Sequence, residues 1–468
     1  MGWIKNIIDR TKTLLLGYDA VKQGTSRRRI HISSEPEDSI LNSGGRQSVL
    51  SQGRDAIRNF TLAGFVVRKH LQSVAWYEFR AKTGIAWLDD ELKRRVEKWQ
   101  RPQFCDITGR RSFAELIYLI ELLRVVDGDV FILLLRNNRL QVIEGDRVRS
   151  SGVGTDLSGP EWVQGVKVNK AGKPIAYAIC DRGQYGGFTL NRIVNSDNCK
   201  MLGYYQRADQ IRGVSLLTPA LRAISYLYDG LDLALAKLKL EQILGLKTMT
   251  DDTSGIGYSE DEDREGDIHK RAVEKLGPGI LHLELRQGED AAFMESNNPS
   301  RNYQDFVEQT TRLIFAALDI PYSFYDGSKT NYYGSEGEFE QYIDSVERKQ
   351  QATINLLDDI FVNWLVPNWL TDPDDPLFLP PGVSPADLYG RAGWHGAGLP
   401  AWRMLRRVKE LLVAVQAGFL PASEAVGDYG YDLASNLEEL AKIKNRAEEL
   451  GLSLPIFSGR DANINVGV

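Results

Sequence analysis

Apolar residues recur at helical spacing along three long stretches of this chain, and the pattern between those stretches changes character. In residues 214–246, Leu221, Ile224, Tyr228, Leu231, Leu235, Leu238 and Ile243 fall at steps of three, four or five, which makes one stripe on a helix. Thr218-Pro219 marks its entry, because proline at the first helical position loses no needed donor. About 28 residues at 1.5 Å rise give a rod of roughly 40 Å, long enough to span something or to pack against copies of itself. A second helix after Asn298-Pro299 sets Phe306, Thr310, Leu313, Ile314, Ala317 and Leu318 on one face and stops at Pro321. A third is predicted to open at Ser335, with Glu338 completing a capping box. It carries Phe339, Ile343, Val346, Ile354, Leu357, Ile360, Phe361 and Trp364 as far as Pro367. Between the last two lies a loop of about 14 residues rich in tyrosine and glycine, longer than ordinary helix connections and therefore either disordered or in use.

The rest of the chain alternates between short strands and helices. Residues 25–53 are polar and read as an arm; helical patterning begins at Val49 and runs to Val74, and another amphipathic helix runs from Trp87 to Trp99. Ser112 to Val126 is predicted as a helix with Phe113, Leu116, Ile117, Ile120 and Leu123 inward, ended by Asp127-Gly128. The apolar run from Val130 to Leu135 reads as a buried strand paired with Leu140 to Glu144, and Trp162 to Val168 with Pro174 to Cys180 as a second hairpin. The insert between the first two long helices holds an acidic run, Ser259-Glu-Asp-Glu-Asp-Arg-Glu-Gly266, then alternating residues from Lys275 to Leu285. The prolines between Asp372 and Pro381 suggest a stiff linker. Leu405, Val408, Leu411, Leu412 and Val415 then predict a buried helix face, with further helices to residue 450 and a mobile tail from 453. The fold class is helix-rich α+β.

With 468 residues the chain is long enough for two or more domains. It has no run of about 18 apolar residues, so no membrane span is predicted. Residues 1–16 mix apolar and basic positions throughout and read as a short amphipathic helix, not a targeting signal. Cys105, Cys180 and Cys199 lack metal-ligand spacing, which suits reduced thiols in a cytoplasmic setting. A net charge of −6 gives no global pull toward nucleic acid.

Catalytic patterns fail on inspection. Gly327-Ser-Lys-Thr330 resembles the end of a phosphate-binding loop, but lysine does not follow glycine and the upstream glycine is missing. Asp251, Thr253, Gly255 and Glu262 imitate calcium-loop spacing with Ile256 at the turn position. The five histidines lie far apart, and no Gly-x-Ser-x-Gly elbow occurs. No catalytic residue, metal ligand or cofactor is therefore assigned.

An ordered set of short stretches resembles the lambda-type portal proteins of tailed bacteriophages. It comprises Tyr18-Asp-Ala20 before an arginine-rich arm, Arg54-Asp-Ala-Ile-Arg-Asn59, Asp127-Gly-Asp-Val-Phe131 and Gly172-Lys-Pro-Ile-Ala-Tyr177. Ala208-Asp-Gln-Ile-Arg-Gly-Val-Ser215 then leads into Thr218-Pro-Ala-Leu221, followed by Leu276-Gly-Pro-Gly-Ile280, Gly288-Glu289, Asn298-Pro299, Ile320-Pro321-Tyr322 and Thr330-Asn-Tyr332. Tyr333 and Gly334 depart from the small or serine residues common in that family, and Arg68 to Trp76 lacks an expected glycine-rich pattern.

The resemblance implies a ring, usually of twelve subunits, at one capsid vertex, through which double-stranded DNA passes non-specifically during packaging and ejection. It implies a virion protein assembled in the host cytoplasm. Its partners would be further copies of itself, the terminase large subunit, head-completion or neck proteins, and the major capsid and scaffold proteins, with no membrane. Residues 1–53 would be an N-terminal helix and arm, 54–213 an α+β wing, 214–246 and 299–320 two stem helices, and 247–298 a strand-bearing clip. Residues 321–334 would be a tunnel loop, 335–370 a long wing helix, 371–400 a linker, 401–452 a helical crown and 453–468 a tail. On that reading Lys329, Asn331, Tyr332 and Tyr333 approach DNA, while Ser259, Glu260, Asp261, Glu262 and Asp263 of the clip meet a basic partner surface. The tyrosines could equally pack between neighbouring subunits. Twelve copies would carry roughly −70 charges, which keeps phosphate from adhering to the wall. Two other classes are an adaptor or scaffold with no DNA channel, and a metal-dependent nucleic-acid enzyme.

Overall fold

One buried strand, β2 (Asp129–Leu134), is the wall shared by two cores. Its alternate residues Val130, Ile132 and Leu134 face one apolar cluster and Phe131 and Leu133 face another, which is why the sequence shows a continuous apolar run here. The computed structural model describes residues 35–150, 157, 159–183, 187–241, 244–249, 273–277, 280–285, 301–329, 332–396, 404–427, 431 and 433–452.

The chain enters through α1 (Ser43–Asn59) and α2 (Thr61–Val74), then β1 (Tyr77–Ala81), α3 (Ala86–Trp99) and α4 (Phe113–Asp127). Helix α1 begins well before Val49: the Asn42 side chain caps it by accepting from Gly45 N–H at 2.9 Å. Helix α4 starts with a full capping box between Ser112 and Glu115 and ends at Gly128, whose φ of 96° takes the chain directly into β2. A Cβ at Gly128 would stand 2.7 Å from Ser215 N, so two backbone segments touch where only glycine leaves room.

β3 (Leu140–Glu144) and β8 (Cys199–Gly203) flank β2 antiparallel, and β4 (Trp162–Val163), β5 (Val166–Val168), β6 (Pro174–Arg182) and β7 (Phe188–Asn195) form a four-stranded meander. Phe131, Tyr177 and Ile179 fill the space between these sheets.

Helix α5 spans Thr218–Glu241, at 24 residues shorter than the sequence suggested. The chain turns into β9 (Leu244–Met249) at the alternating Leu-Gly-Leu-Lys-Thr-Met, and β9 runs parallel to β11 (Ile280–Leu285), itself paired with β10 (Val273–Gly277). Helix α6 (Arg301–Ala316) returns. Its end shares a core with the start of α5 through Ile314, Phe315, Leu217 and Leu221. Its start meets the middle of α5, where a Cβ at Gly230 would sit 3.5 Å from the Phe306 ring, so the two helices lie antiparallel and side by side.

Helix α7 (Tyr332–Ile360) opens three residues before Ser335, which lies inside the helix and does not cap it; Glu338 instead accepts the Ser323 hydroxyl at 2.6 Å. Pro367 does not end this helix either. A π-helical turn at Phe361–Leu365 leads into α8 (Val366–Leu370), and proline is tolerated in its first turn. Of residues 371–400, expected as a linker, the described part, 371–396, folds back: Leu377 and Leu388 are buried, and β12 (Ala392–Gly396) pairs antiparallel with β1. The Arg95 guanidinium donates to the Asp375 carboxylate at 2.8 Å and ties this return to α3.

The C-terminal helices α9 (Met404–Gln416), α10 (Ala422–Gly427) and α11 (Leu433–Glu449) bury little in one chain. Leu411 is covered, but Val408 and Leu412 of the predicted inward face lie in the open. The lower half of α5 behaves likewise, with Leu231, Leu233 and Leu235 exposed, as are Phe306 and Leu313 of α6. Residues 1–34, which include the predicted N-terminal helix, and the tail from 453 lie outside the described residues.

Candidate nucleic-acid interface

Helix α6 ends at Ala316 before Pro321 is reached. Ile320 N–H donates back to the Phe315 carbonyl at 3.1 Å, and Asp319 takes a left-handed φ of 58°. Lys349 (2.8 Å) and Ser345 (2.9 Å), both on α7, hold the Asp319 carboxylate and secure that conformation. Burial alone would raise the pKa of Asp319. Lys349 and Ser345 more than offset this and keep it below the ordinary value.

The first half of the loop is pinned by aromatic rings. Tyr322 and Tyr325 lie 6.0 and 5.7 Å from the Phe315 ring, and Phe324 meets Tyr342 edge-on at 5.2 Å. The Arg312 guanidinium stands 5.0 Å over Tyr322. After Asp326, which accepts the Ser328 hydroxyl at 2.6 Å, a tight turn spans Gly327–Lys329. Lys329 thus ends this turn and Tyr332 and Tyr333 open α7, so the structure brings three of the four sequence-predicted residues into one short segment. Asn331 lies outside the described residues, as do Ser259, Glu260, Asp261, Glu262 and Asp263.

Behind the loop, a cleft of about 820 Å³ opens between α7, the end of α6 and the segment after β8. Arg124, Tyr204, Asp319, Arg348 and Lys349 are among the residues lining it. Arg124 is buried, stacks 4.0 Å from the Tyr204 ring centroid, and directs Nη1 at Thr353 Oγ1 (3.1 Å), the Lys349 carbonyl (3.2 Å) and the buried Glu121 carboxylate (3.4 Å), which leaves its other nitrogens toward the cleft.

Deeper still, sequence reasoning missed a set of buried charges. Arg212 donates to both oxygens of Asp129 at 2.7 and 2.9 Å and to the carbonyls of Gly145 (2.7 Å), Val148 (2.8 Å) and Gln164 (2.5 Å), so that three separate segments close on one guanidinium. Arg46, from the stretch read as an arm, adds a bond to the Gly213 carbonyl; burial first, then the Arg212 charge, lowers its pKa to about 10. The one available signal was Arg212-Gly213 and Asp127-Gly128-Asp129: charges beside glycine within otherwise apolar surroundings.

Carboxylate oxygens of Asp127, Glu144 and Asp146 lie within 4.8 Å of one another, spacing that could suit a cation. Two guanidiniums already occupy the group: Arg54 reaches Asp127 at 2.5 Å, and Arg182 reaches Asp146 at 2.8 Å. Burial pushes Asp127 up to about 6. The donor set therefore fits arginine, not a metal. Burial also pushes the Cys105 and Cys199 thiols up to about 12, away from thiolate chemistry.

Comparison with known proteins adds the following. A family model described as phage portal protein, lambda family, matches residues 23–348, the stretch that holds the ordered motifs from Arg54 to Tyr332. A probable portal protein of Halomonas phage phiHAP-1 is 26% identical over 257 residues, which is 51% of this chain and 48% of the relative. The chain thus spans about half the length of that curated relative. Among solved structures, a chain in the neck of a native GTA particle computed with C12 symmetry gives a TM-score of 0.46 at 14% identity, covering 83% of this chain and 94% of that one. A chain in the neck of an empty GTA particle computed with C6 symmetry gives 0.47 at 14% identity, with 82% and 93% covered.

Proposed function

Because the chain belongs to the lambda family of phage portal proteins, we propose that twelve copies close into a ring at one capsid vertex, a channel for double-stranded DNA in packaging and ejection. The α+β layer is then the wing, α5 and α6 the stem, β9 to β11 part of the clip, residues 321–334 the tunnel loop, and the C-terminal helices the crown. The ring is also the docking platform for the terminase large subunit and the head-completion or neck proteins. It is seated among major capsid and scaffold proteins after assembly in the host cytoplasm.

The observation that carries this reading is the uncovered apolar surface of the antiparallel α5–α6 pair. Leu233 is 71% exposed and Leu313 65% exposed, beside Leu231, Leu235 and Phe306. Side chains of this size gain about 1.5–3 kcal/mol each on full burial, and a neighbouring copy of the same rod pair supplies such a surface. A heterologous interface repeated around an axis closes as a ring.

In the tunnel loop, Lys329, Asn331, Tyr332 and Tyr333 approach DNA, the lysine giving a local phosphate contact and the tyrosines a steric gate, while Ser259, Glu260, Asp261, Glu262 and Asp263 meet a basic surface of the packaging motor. Replacing Lys329 and Tyr332 then shortens the packaged DNA or its retention without preventing ring assembly; unchanged packaging removes that role. Electron microscopy of the purified chain tests the whole. A closed ring of about a dozen copies, with a hole wider than the roughly 20 Å of duplex DNA, supports the portal. A small closed oligomer without a channel supports an adaptor.

A further inference from the structure

The cleft behind the loop holds bonding capacity that a single chain does not use. Arg124 is 3% exposed, yet among the described residues neither its Nε–H nor its Nη2 has a hydrogen-bond partner. The Tyr204 hydroxyl, on the ring against which that guanidinium stacks, is likewise buried without a partner. A buried donor left unmade costs free energy, so two on one stacked pair at the wall of an open cleft are unusual. Arg348, on the same cleft, is exposed and bonds to no described residue. Lys349 differs, being held by Asp319 and the Leu318 carbonyl, both at 2.8 Å.

We propose that this cleft is a socket for a carboxylate-bearing side chain of a second copy of the chain, received by Arg124, Tyr204 and Arg348. The inference rests on the ring reading, which places a copy alongside. A carboxylate accepts from two or more donors at once, and the edge formed by Nε and Nη2 of an arginine presents two in parallel. A side chain fits better than the backbone of a nucleic acid. Asp319, Glu338 and Asp344 line the same cleft, and a polyphosphate strand with a charge at every residue would meet all three. One carboxylate flanked by basic residues would meet the donors and leave Glu338 and Asp344 to pair with its neighbours, Asp319 being held by Lys349 and Ser345. The chain carries 63 acidic and 57 basic residues, so its own surface offers such mixed ground.

Tyr204→Phe separates the socket from the fold. It removes a hydroxyl that makes no bond among the described residues, so the thermal midpoint of the monomer should be unchanged or raised. Loss of one hydrogen bond to a charged group corresponds to about ten-fold or more in an association constant. The concentration of half-assembly, followed by mass photometry of the full chain, should therefore rise at least about ten-fold. Arg348→Gln, at an exposed position, should produce a shift in the same direction, and Arg348→Lys should recover part of it. If wild type assembles and both variants assemble at the same concentration, the socket is wrong while the ring stands. If wild type does not assemble, ring and socket fall together. An unchanged half-assembly concentration with weakened binding of a short DNA duplex would assign the cleft to phosphate and overturn the proposal.

Discussion

His70 on α2 should make this subunit acid-sensitive by an amount that can be worked out. Its ring is fully buried, neither nitrogen has a hydrogen-bond partner among the described residues, and burial first, then the Lys349 and Arg124 charges, lower its pKa from 6.5 to about 3, with Asp319 opposing. Between those two values the unfolded chain binds a proton that the folded chain refuses. Stability is therefore intact above pH 6.5 and falls as the pH drops below it. With 1.36 kcal/mol for each unit of separation, moving from pH 7 to pH 4.5 removes about 2.5 kcal/mol through this residue alone. Asp127 acts oppositely: its raised value of about 6 means the folded state gains a proton first, adding stability as pH falls. The measurement must therefore be a difference between two proteins. Denaturant unfolding of wild type and His70→Leu at both pH values gives it, because Asp127 contributes equally to each. At pH 7 the variant should be more stable by about 1–3 kcal/mol, since two orphaned ring nitrogens disappear. Its advantage should widen by about 2.5 kcal/mol at pH 4.5. An advantage independent of pH would refute the buried neutral imidazole and would mean that water or a partner reaches His70.

Other perturbations test the frame of the subunit. Arg212→Met leaves the buried Asp129 carboxylate with only the Gly213 N–H at 3.0 Å and Arg46 at 4.0 Å in place of its bidentate partner, and should cost about 3 kcal/mol in denaturant unfolding; replacing Asp129 with leucine in the same chain should return part of that loss. Gly128→Ala forces a Cβ against Ser215 at a φ that L residues avoid, and a loss above about 2 kcal/mol is expected in the same assay. Asn42→Ala removes the cap of α1 and should cost about 1 kcal/mol, with faster amide exchange confined to the first turn of that helix.

Much of the architecture is visible in the residues because local rules and burial agree there. The Ser112–Glu115 box, the run into β2 and the glycine after α4 all point to one answer. Where the reading failed, two signals competed. Ser335-x-x-Glu338 is a valid capping box, but the aromatic anchoring of Tyr322, Phe324 and Tyr325 lets α7 start earlier, and Glu338 is used by Ser323. Pro367 reads as a stop, yet the π-helical turn before it accommodates the missing donor. The prolines after Asp372 concealed β12, whose partner β1 lies more than three hundred residues away in sequence, beyond any local pattern. The loop itself is visible as a tyrosine- and glycine-rich break between two helical patterns. Arg124 and Tyr204 are not, because what distinguishes them is an unmade bond that exists only in the fold.

The Arg212 cluster also bears on synthesis. Asp129 leaves the ribosome 83 residues before Arg212, and the carbonyls of Gly145, Val148 and Gln164 precede it as well. At about 5–20 residues per second, the nascent chain spends roughly 4–17 s with an aspartate that has Arg46 at 4.0 Å but not yet its bidentate partner. Collapse around β2 during that interval would bury a carboxylate whose only short, two-pronged partner among the described residues, Arg212, is still missing, which is expensive enough to keep the layer open. Arrival of Arg212, at the threshold of α5, closes it. The order of translation thus makes the α+β layer wait for the root of the rod, so a ribosome stalled before residue 212 should display this half of the chain in a protease-sensitive state.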